Sequence, residues 1–297
     1  MRYAFFVGCT TLARLWGYEV SARKVADHLG VELVDMPGSG CCGTTYLETL
    51  DHKTALAIAA RNICIAEEMG LDIVAVCNGC TEVLTKANKE LKEDPALRAD
   101  VNEVLKDFGK EFKGTVEVKH FVKMLKEDIG LEKIGSEVNR PLKGLRVGVH
   151  YGCHMLKPSD VMMYDDPEVP TSLDELVNAT GAQSVAYPNK LECCAGPIMG
   201  VREDVTWSVG LEKVENVKKY ADIMVTACPF CYLTYERCQL IQETSPNLPI
   251  VHYPQLLGLA LGISYDELGF EMNKIDTSRL QEFVEEYRGA NLNDKTD

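Results

Sequence analysis

The sequence predicts an α/β fold of two tandem repeats, each a small parallel Rossmann-like sheet flanked by helices, with the repeats related by a pseudo-twofold. Three observations predict it. Short apolar segments alternate with amphipathic helical segments, which is the pattern of parallel βαβ units. Ten of the twelve cysteines form one five-cysteine pattern that occurs twice. Both copies begin with an apolar strand that ends in Gly-Cys, at Gly8-Cys9 and Gly152-Cys153.

The first repeat is predicted to cover residues 1–140. Its strands are predicted at 2–8, 31–35, 72–76 and 116–121. A helix is predicted over 11–29, and Gly30 ends it. The pattern Thr45-x-x-Glu48 is typical of a capping box and predicts one long helix to about Met69, which Gly70 ends.

The second repeat is predicted to cover residues 141–297, after a linker over 130–143. Its strands are predicted at 145–151, 183–187, 221–227 and 249–253. Helices are predicted from 172 to about 181 and over 207–220. A terminal helix over 277–288 and a polar tail complete the chain.

Composition limits the class of protein. The 297 residues are 46% hydrophobic and 26% charged, which is typical of a globular protein with room for two domains. No window approaches the roughly 18 apolar residues of a membrane helix, and no signal peptide is evident, so a cytoplasmic location is expected. The net charge of -14 argues against nucleic acid as a partner. In a reducing compartment, twelve cysteines indicate metal binding or catalysis more than disulfides.

The cysteine pattern is the strongest signal in the sequence. Each copy has one cysteine after its first strand, an adjacent pair one loop later, and a C-x-x-C after a further strand. Because ligands of open parallel sheets bind beyond the carboxyl ends of the strands, the cysteines of each copy are expected to converge at that edge. The first set is Cys9, Cys41, Cys42, Cys77 and Cys80, and the second set is Cys153, Cys193, Cys194, Cys228 and Cys231.

Thiolate sulfur is a ligand for zinc, Cu(I) and iron–sulfur clusters. A zinc ion takes four ligands in a tetrahedron, and an adjacent cysteine pair fits one such ion poorly. Five cysteines in each set therefore favour a multi-iron centre, although the usual ferredoxin spacing is absent. On spacing alone, zinc and a thiol redox relay remain alternatives.

The residues around the cysteines resemble a known family over nearly the whole chain. It is the family of CoB–CoM heterodisulfide reductase B subunits, in which the cysteine-rich CCG domain occurs as a pair. The segments that carry the resemblance are Tyr3 to Cys9, Gly70 to Ile73, Cys77 to Cys80, Val116 to Phe121, Val149 to His154 and Cys228 to Cys231. One departure is that the second copy continues Cys194-Ala195-Gly196, where the first has Cys-Cys-Gly.

This resemblance implies a catalytic subunit that reduces the CoM-S-S-CoB mixed disulfide to the thiols coenzyme M and coenzyme B. It implies two non-cubane [4Fe-4S] clusters, one bound by each set of five cysteines, with the anionic disulfide between them. It also implies two partners in the same complex, a ferredoxin-like iron–sulfur subunit and a flavin-containing subunit. A disulfide is a two-electron couple, so a pair of one-electron centres matches it.

Other residues near the cysteines are candidates for substrate chemistry. His154 directly follows a cysteine, and an imidazole pKa suits proton donation to a product thiolate; a structural hydrogen bond or a surface position is the alternative. The anionic groups of the two coenzymes need cations, and ordinary surface charge is the alternative for each candidate. These candidate cations are Arg14, Lys157, Lys190 and Arg202. Cys64 and Cys238 fall outside the pattern and are predicted to be buried structural thiols.

Two other functions remain open from the sequence. The chain could be a CCG-domain iron–sulfur subunit of another reductase, of the fumarate or quinone type. It could also be a zinc-stabilised scaffold in a redox complex. Metal analysis separates the second alternative from an iron–sulfur protein, and oxidation of a reduced dye by the heterodisulfide separates the two reductases.

Overall fold

The structure, a computed structural model, describes residues 1–242 and 244–293. These residues contain two four-stranded sheets, and every strand pair in them is parallel. The strand order is β2-β1-β3-β4 in the first sheet and β6-β5-β7-β8 in the second, so both repeats have the same topology. The predicted α/β class with tandem repeats is confirmed. The strands are β1 (Arg2–Phe6), β2 (Glu32–Asp35), β3 (Ile73–Ala75), β4 (Val118–His120), β5 (Arg146–His150), β6 (Gln183–Val185), β7 (Ile223–Thr226) and β8 (Ile250–His252).

Helices connect the strands, as right-handed parallel crossovers require. They are α1 (Cys9–Arg14), α2 (Trp16–His28), α3 (Thr44–Leu50), α4 (His52–Met69), α5 (Asn78–Glu93), α6 (Pro95–Lys106), α7 (Phe121–Met124), α8 (Leu131–Glu137), α9 (Cys153–Leu156), α10 (Ser159–Met162), α11 (Ser172–Ala179), α12 (Glu203–Lys218), α13 (Pro229–Leu240), α14 (Tyr253–Leu261) and α15 (Ser278–Asn293). Short 3₁₀ turns occur at Gly196–Ile198, Tyr265–Leu268 and Phe270–Met272, and a π-helical turn at Leu125–Ile129.

Two helices that the sequence predicts as continuous are divided. The prediction of a single helix from residue 45 to 69 is wrong, because α3 ends at Leu50 and α4 begins at His52. Asp51 between them is extended, and its carboxylate accepts the Thr54 amide as the N-cap of α4. The helix predicted over 11–29 is likewise divided at Leu15, into α1 and α2.

The terminal helix is longer than predicted. It begins at Ser278 and runs to Asn293, whereas the sequence predicts its end at residue 288. Residues 294–297 of the predicted tail lie outside the described residues.

The two repeats share their hydrophobic cores. Alternate side chains of β1 point to opposite sides, so Tyr3 and Phe5 enter one core and Ala4 and Phe6 the other. Each of these cores also contains side chains from the second sheet. The predicted division at residue 140 falls in the connection between α8 and β5. We therefore describe the repeats as halves of one packed unit.

Specific contacts join the halves at the carboxyl ends of the sheets. The Tyr18 hydroxyl donates a hydrogen bond of 2.9 Å to the Ala227 carbonyl, and its ring stacks on His252 with a centroid distance of 3.9 Å. The Asn78 amide donates to the Tyr151 carbonyl at 2.7 Å. These contacts hold the cysteine-bearing ends of the sheets against each other. Among the described residues, no helix has the length and apolar character needed to cross a membrane.

Candidate metal centre

The cysteines lie at the carboxyl ends of the central strands, as the connectivity predicts. Cys9 and Cys153 begin α1 and α9, directly after β1 and β5. Cys77 and Cys228 are the N-cap residues of α5 and α13, after β3 and β7. The positive end of a helix dipole stabilises negative charge, so these positions favour thiolates. None of the twelve cysteines, all of which lie in the described part of the chain, forms a disulfide.

Sulfur atoms in the first set lie close together. The Sγ atoms of Cys42 and Cys80 are 3.3 Å apart, and both residues are buried. The Sγ atoms of Cys9 and Cys41 are 3.8 Å apart, and both residues are exposed. In the adjacent pair, Cys41 is therefore on the solvent side and Cys42 is in the core.

The second set repeats this arrangement. The Sγ atoms of Cys194 and Cys231 are 3.4 Å apart in the core. Cys193 is exposed and shares hydrogen bonds with Cys153 and Cys194, which lower the pKa of the Cys193 thiol. In both repeats, therefore, a cysteine after a strand, an adjacent pair and a C-x-x-C converge.

The two sets touch each other at one point. The thiols of Cys77 and Cys228 lie close enough to shift each other's pKa, and both residues are buried. The two sets therefore adjoin in the core, and their more exposed cysteines lie on another side. A cavity and a groove lie on that side.

The cavity lies between the halves and has a volume of about 100 Å³. All five cysteines of the second set line it, together with His154, Pro197 and Phe230. The first half contributes Thr44, Tyr46, Asn78 and Gly79. The groove, of about 980 Å³, begins at Cys9 and shares Tyr46, Pro197 and Phe230 with the cavity. The groove and the cavity therefore adjoin, and together they reach both sets.

In the turns after the adjacent pairs, a backbone N–H group donates a hydrogen bond to the sulfur of the first cysteine of the pair. Gly43 N–H donates to the Cys41 sulfur at 3.4 Å, and Ala195 N–H donates to the Cys193 sulfur at 3.3 Å. Gly43 has φ +99° and Ala195 has φ +55°, so alanine adopts a left-handed conformation where the first repeat has glycine. The replacement of this glycine by Ala195 in the second repeat therefore leaves the left-handed conformation of the turn unchanged. It places strain at Ala195.

The glycine before each first cysteine is required by its backbone and by space. Gly8 (φ +79°, ψ 152°) and Gly152 (φ +77°, ψ 148°) occupy a region that is essentially restricted to glycine. A Cβ on Gly8 would lie 3.3 Å from the Cys80 sulfur. A Cβ on Gly152 would lie 3.3 Å from the Cys231 sulfur and 2.4 Å from the Asn78 amide nitrogen. The Gly-Cys motif therefore lets a backbone turn pass directly over the sulfur of the C-x-x-C.

The donor set fits a thiolate-bound metal centre. Each set offers five sulfur atoms, which is more than one tetrahedral zinc ion uses. Among the described residues, several buried polar atoms near the cysteines have no hydrogen-bond partner, including Asn78 Oδ1, His120 Nε2 and His252 Nε2. Negative charge on Cys228 acts on both histidines. Imidazole N–H groups beside cysteine ligands are suited to hydrogen-bond the sulfur atoms of a cluster.

His154 lies in the cavity and contacts the other half of the chain. Its Nδ1 is 3.5 Å from Oε2 of Glu82, a buried residue of α5. The side-chain contact with Glu82 raises the pKa of the His154 imidazole above its usual value, although burial acts in the opposite direction. No sequence signal indicates Glu82, because the two residues are far apart along the chain.

The four predicted cations differ in their surroundings. Three of them form ion pairs, namely Lys157 with Glu168 (2.9 Å), Lys190 with Asp174 (2.6 Å) and Arg202 with Asp204 (2.8 Å). Arg14 lines the groove beside Cys9. The structure adds Arg237, which lines the same groove from α13 and which the sequence does not indicate, because no neighbouring motif marks it.

The cysteines outside the pattern are buried in the core. Cys64 is 1% exposed and Cys238 is 0% exposed, and burial raises the pKa of each thiol to about 12. High thiol pKa values disfavour the thiolate, so these two residues lack the character of ligands or nucleophiles.

Comparison with known proteins agrees with this geometry. Residues 3–85 and 147–236 each match the cysteine-rich domain of the CCG family. The chain belongs to this family. It is 44% identical to the B subunit of the ferredoxin/F(420)H(2)-dependent CoB-CoM heterodisulfide reductase of Methanosarcina acetivorans, over 92% of this chain and 94% of that protein. The predicted relationship to heterodisulfide reductase B subunits, an oxidoreductase family, is confirmed.

A second relative has a different role. The chain is 32% identical to the membrane anchor subunit of the 8-methylmenaquinol:fumarate reductase of Wolinella succinogenes, over 94% of this chain and 98% of that protein. A hypothetical protein from Helicobacter pylori has a similar crystal structure, with a TM-score of 0.72 over 93% of this chain and 52% of that chain. The chain thus spans about half the length of that protein. At 16% identity, this likeness concerns the fold alone.

Proposed function

We propose that the chain is the catalytic B subunit of a CoB–CoM heterodisulfide reductase, and that it reduces the mixed disulfide to coenzyme M and coenzyme B thiols. The observation that carries this proposal is the convergence of two matching sets of five unpaired cysteines beside a cavity between the halves. The relationship to heterodisulfide reductase B subunits supports it. The overall change is one disulfide plus two electrons and two protons, giving two thiols.

We propose that each set of five cysteines holds one non-cubane [4Fe-4S] cluster. The surplus of sulfur over the needs of zinc and the amides directed at Cys41 and Cys193 support this assignment. Such clusters supply single electrons when bound. The electrons would come from a ferredoxin-like iron–sulfur subunit and a flavin-containing subunit of the same complex, in the cytoplasm.

His154 is the proposed proton donor. The Glu82 carboxylate favours its protonated form and, at 3.5 Å, can hold the ring at the cavity wall. A protonated imidazole at this position can deliver one proton to a product thiolate as that product leaves. The apolar side chains of Pro197 and Phe230 line the cavity on the side of the groove.

Arg14 and Arg237 are proposed to bind anionic groups of the disulfide in the groove. Changing either one to Gln removes a charged donor, which costs about 1.5 kcal/mol of binding or roughly tenfold in KM. We expect kcat to stay near that of the wild type, since the two arginines line the groove and not the cavity. Arg202→Gln is the matched control, because Arg202 already pairs with Asp204. An unchanged KM in both groove variants would remove these arginines from the binding site.

The decisive experiment combines metal analysis with turnover. The protein complex should contain iron and sulfide in the amounts of two four-iron clusters for each copy of this chain, and no stoichiometric zinc. It should oxidise a reduced viologen dye when the heterodisulfide is added, and a paramagnetic signal should appear on addition of a substrate thiol to the oxidised protein. Zinc in place of iron would show that the chain is a scaffold.

The relative from the fumarate reductase complex supports a second candidate, an iron–sulfur subunit that passes electrons to fumarate or from a quinol. The same dye assay separates the two functions. Oxidation that depends on fumarate and not on the heterodisulfide would favour the second candidate.

A further inference from the structure

The surroundings of the two cysteine sets differ at three equivalent buried positions. In the first pair, each residue stands the same number of residues before the first cysteine of its set. In the second pair, each stands the same number of residues before β3 or β7. In the third pair, each stands the same number of residues after the first cysteine of the C-x-x-C. The pairs are Phe6 and His150, Ile63 and Lys213, and Leu84 and Tyr235. All six residues are at most 2% exposed. The first set thus has three apolar neighbours where the second has an imidazole, an ammonium and a phenol.

The three polar residues form one network. Lys213 Nζ donates to the Glu192 carbonyl, and the Lys190 carbonyl lies 3.5 Å away. The same ammonium is 3.4 Å from His150 Nδ1, so its three N–H groups have three acceptors. The Tyr235 hydroxyl is 3.3 Å from His150 Nε2 and 3.5 Å from Nδ1 of the same ring.

The network lies directly against the second set. Within the part of the chain that the structure describes, a ring nitrogen of His150 and the sulfurs of Cys194 and Cys231 all lie within 4.8 Å of one another. Lys213 contributes the ammonium group of this network.

Lys213 has no carboxylate within ion-pair distance among residues 1–242 and 244–293. A buried cation is costly without negative charge nearby. Burial lowers the pKa of Lys213, whereas the negative charges of Cys231 and Cys194, and then that of Glu192, act to raise it. The buried ammonium is thus placed to compensate negative charge on the second set.

Building on the proposed function, we propose that Lys213 acts as a positioning residue that raises the reduction potential of the cluster held by the second set above that of the cluster held by the first. Reduction adds one electron to a cluster and makes it more negative. A fixed positive charge in a buried site stabilises the reduced form more than the oxidised form. Electrons from the partner subunit would then collect on the cluster whose cysteines line the cavity.

The test is a redox titration of the intact complex, with dithionite as the reductant and the paramagnetic signals of both clusters as the readout. The wild type should show two one-electron transitions. In Lys213→Met we expect the higher transition to move down, with at least a tenfold fall in the ratio of reduced to oxidised cluster at a fixed potential, or about 59 mV for one electron. The lower transition should stay in place, and Lys213→Arg should restore the higher one.

Ile63→Met is the matched control, because it places the same side chain at the equivalent position of the first repeat without a change of charge. It should move neither transition. Full iron content in Lys213→Met with both transitions unmoved would overturn the proposal, as would an equal shift in the Ile63→Met control.

If Lys213→Met loses iron, Lys213→Gln takes its place, since it also removes the charge and its amide can still donate to the Glu192 and Lys190 carbonyls. An unmoved higher transition in that variant would also overturn the proposal. Absence of iron from the wild type would count against the proposed function, whereas two normal transitions that ignore these substitutions would count against the role of Lys213 alone.

Discussion

The two halves of the chain have the same ligand framework and different surroundings. Both have a strand that ends in Gly-Cys, an adjacent pair whose second cysteine is buried, and a C-x-x-C at a helix start. Around this framework the first half has apolar side chains at the three positions where the second half has its buried polar network, and the cavity is lined by all five cysteines of the second set. The duplication therefore preserved the sulfur geometry, and the two sites diverged in charge and access.

The largest expected effect concerns whether both sets are needed. Cys9→Ala and Cys153→Ala each remove one thiolate from one set. We expect each variant to lose about half of its iron and nearly all heterodisulfide reduction, because a two-electron reduction uses both sets. The double variant should turn over no more slowly than either single one, as for residues that act as a unit.

Cys64→Ala is the control for these variants, since Cys64 is buried outside both sets. It should keep its iron and its turnover. Substantial activity in Cys9→Ala or Cys153→Ala would break the idea that the two halves act together.

His154 tests the difference in chemistry between the halves. His154→Gln should lower kcat by about 10²–10⁴-fold, which is the usual contribution of a general acid, with full iron content. Glu82→Gln should have a smaller effect in the same direction, because it removes the charge that favours the protonated ring. His52→Gln, a change at an exposed histidine, should leave kcat unchanged. A normal kcat in His154→Gln would assign the ring to structure alone.

The two glycines before the first cysteines test the difference in packing. Gly8→Ala should lower the free energy of unfolding by about 1–3 kcal/mol through backbone strain. Gly152→Ala should lower it further, since its Cβ would also meet the Asn78 amide at 2.4 Å. Urea unfolding measures both values. Gly135→Ala, in open space within α8, is the control and should not destabilise the protein. An equal loss in the free energy of unfolding for Gly8→Ala and Gly152→Ala would contradict the tighter packing at Gly152.

The smallest expected effect comes from the turns after the adjacent pairs. Ala195→Gly should raise the free energy of unfolding by about 1 kcal/mol or less, because relief of left-handed strain is partly offset by the entropy of glycine in the unfolded chain. Gly43→Ala should lower it by about 1–2 kcal/mol for the same reason. The same urea experiment checks both signs, and a loss of stability in Ala195→Gly would show that its strain is compensated by contacts.

Much of the fold is predictable because it is encoded locally. The alternation of apolar strands with helices predicts the α/β class, and the similar spacing in the two copies predicts the tandem repeat. The helix boundary at Asp51 is harder to predict, since the capping-box pattern at Thr45 favours an uninterrupted helix and competes with the cap at Asp51.

The candidate site is predictable only in part. Spacing alone singles out the ten cysteines and places them at one edge of each sheet, because parallel connectivity fixes where strands end. It does not show that Cys77 touches Cys228, that Glu82 faces His154, or that Lys213 lies against the second set. These contacts join residues that are distant in sequence, and they depend on how the two sheets pack. The sequence by itself thus determined the ligand types and the repeated fold, whereas tertiary packing decided which charges and openings each set of cysteines faces.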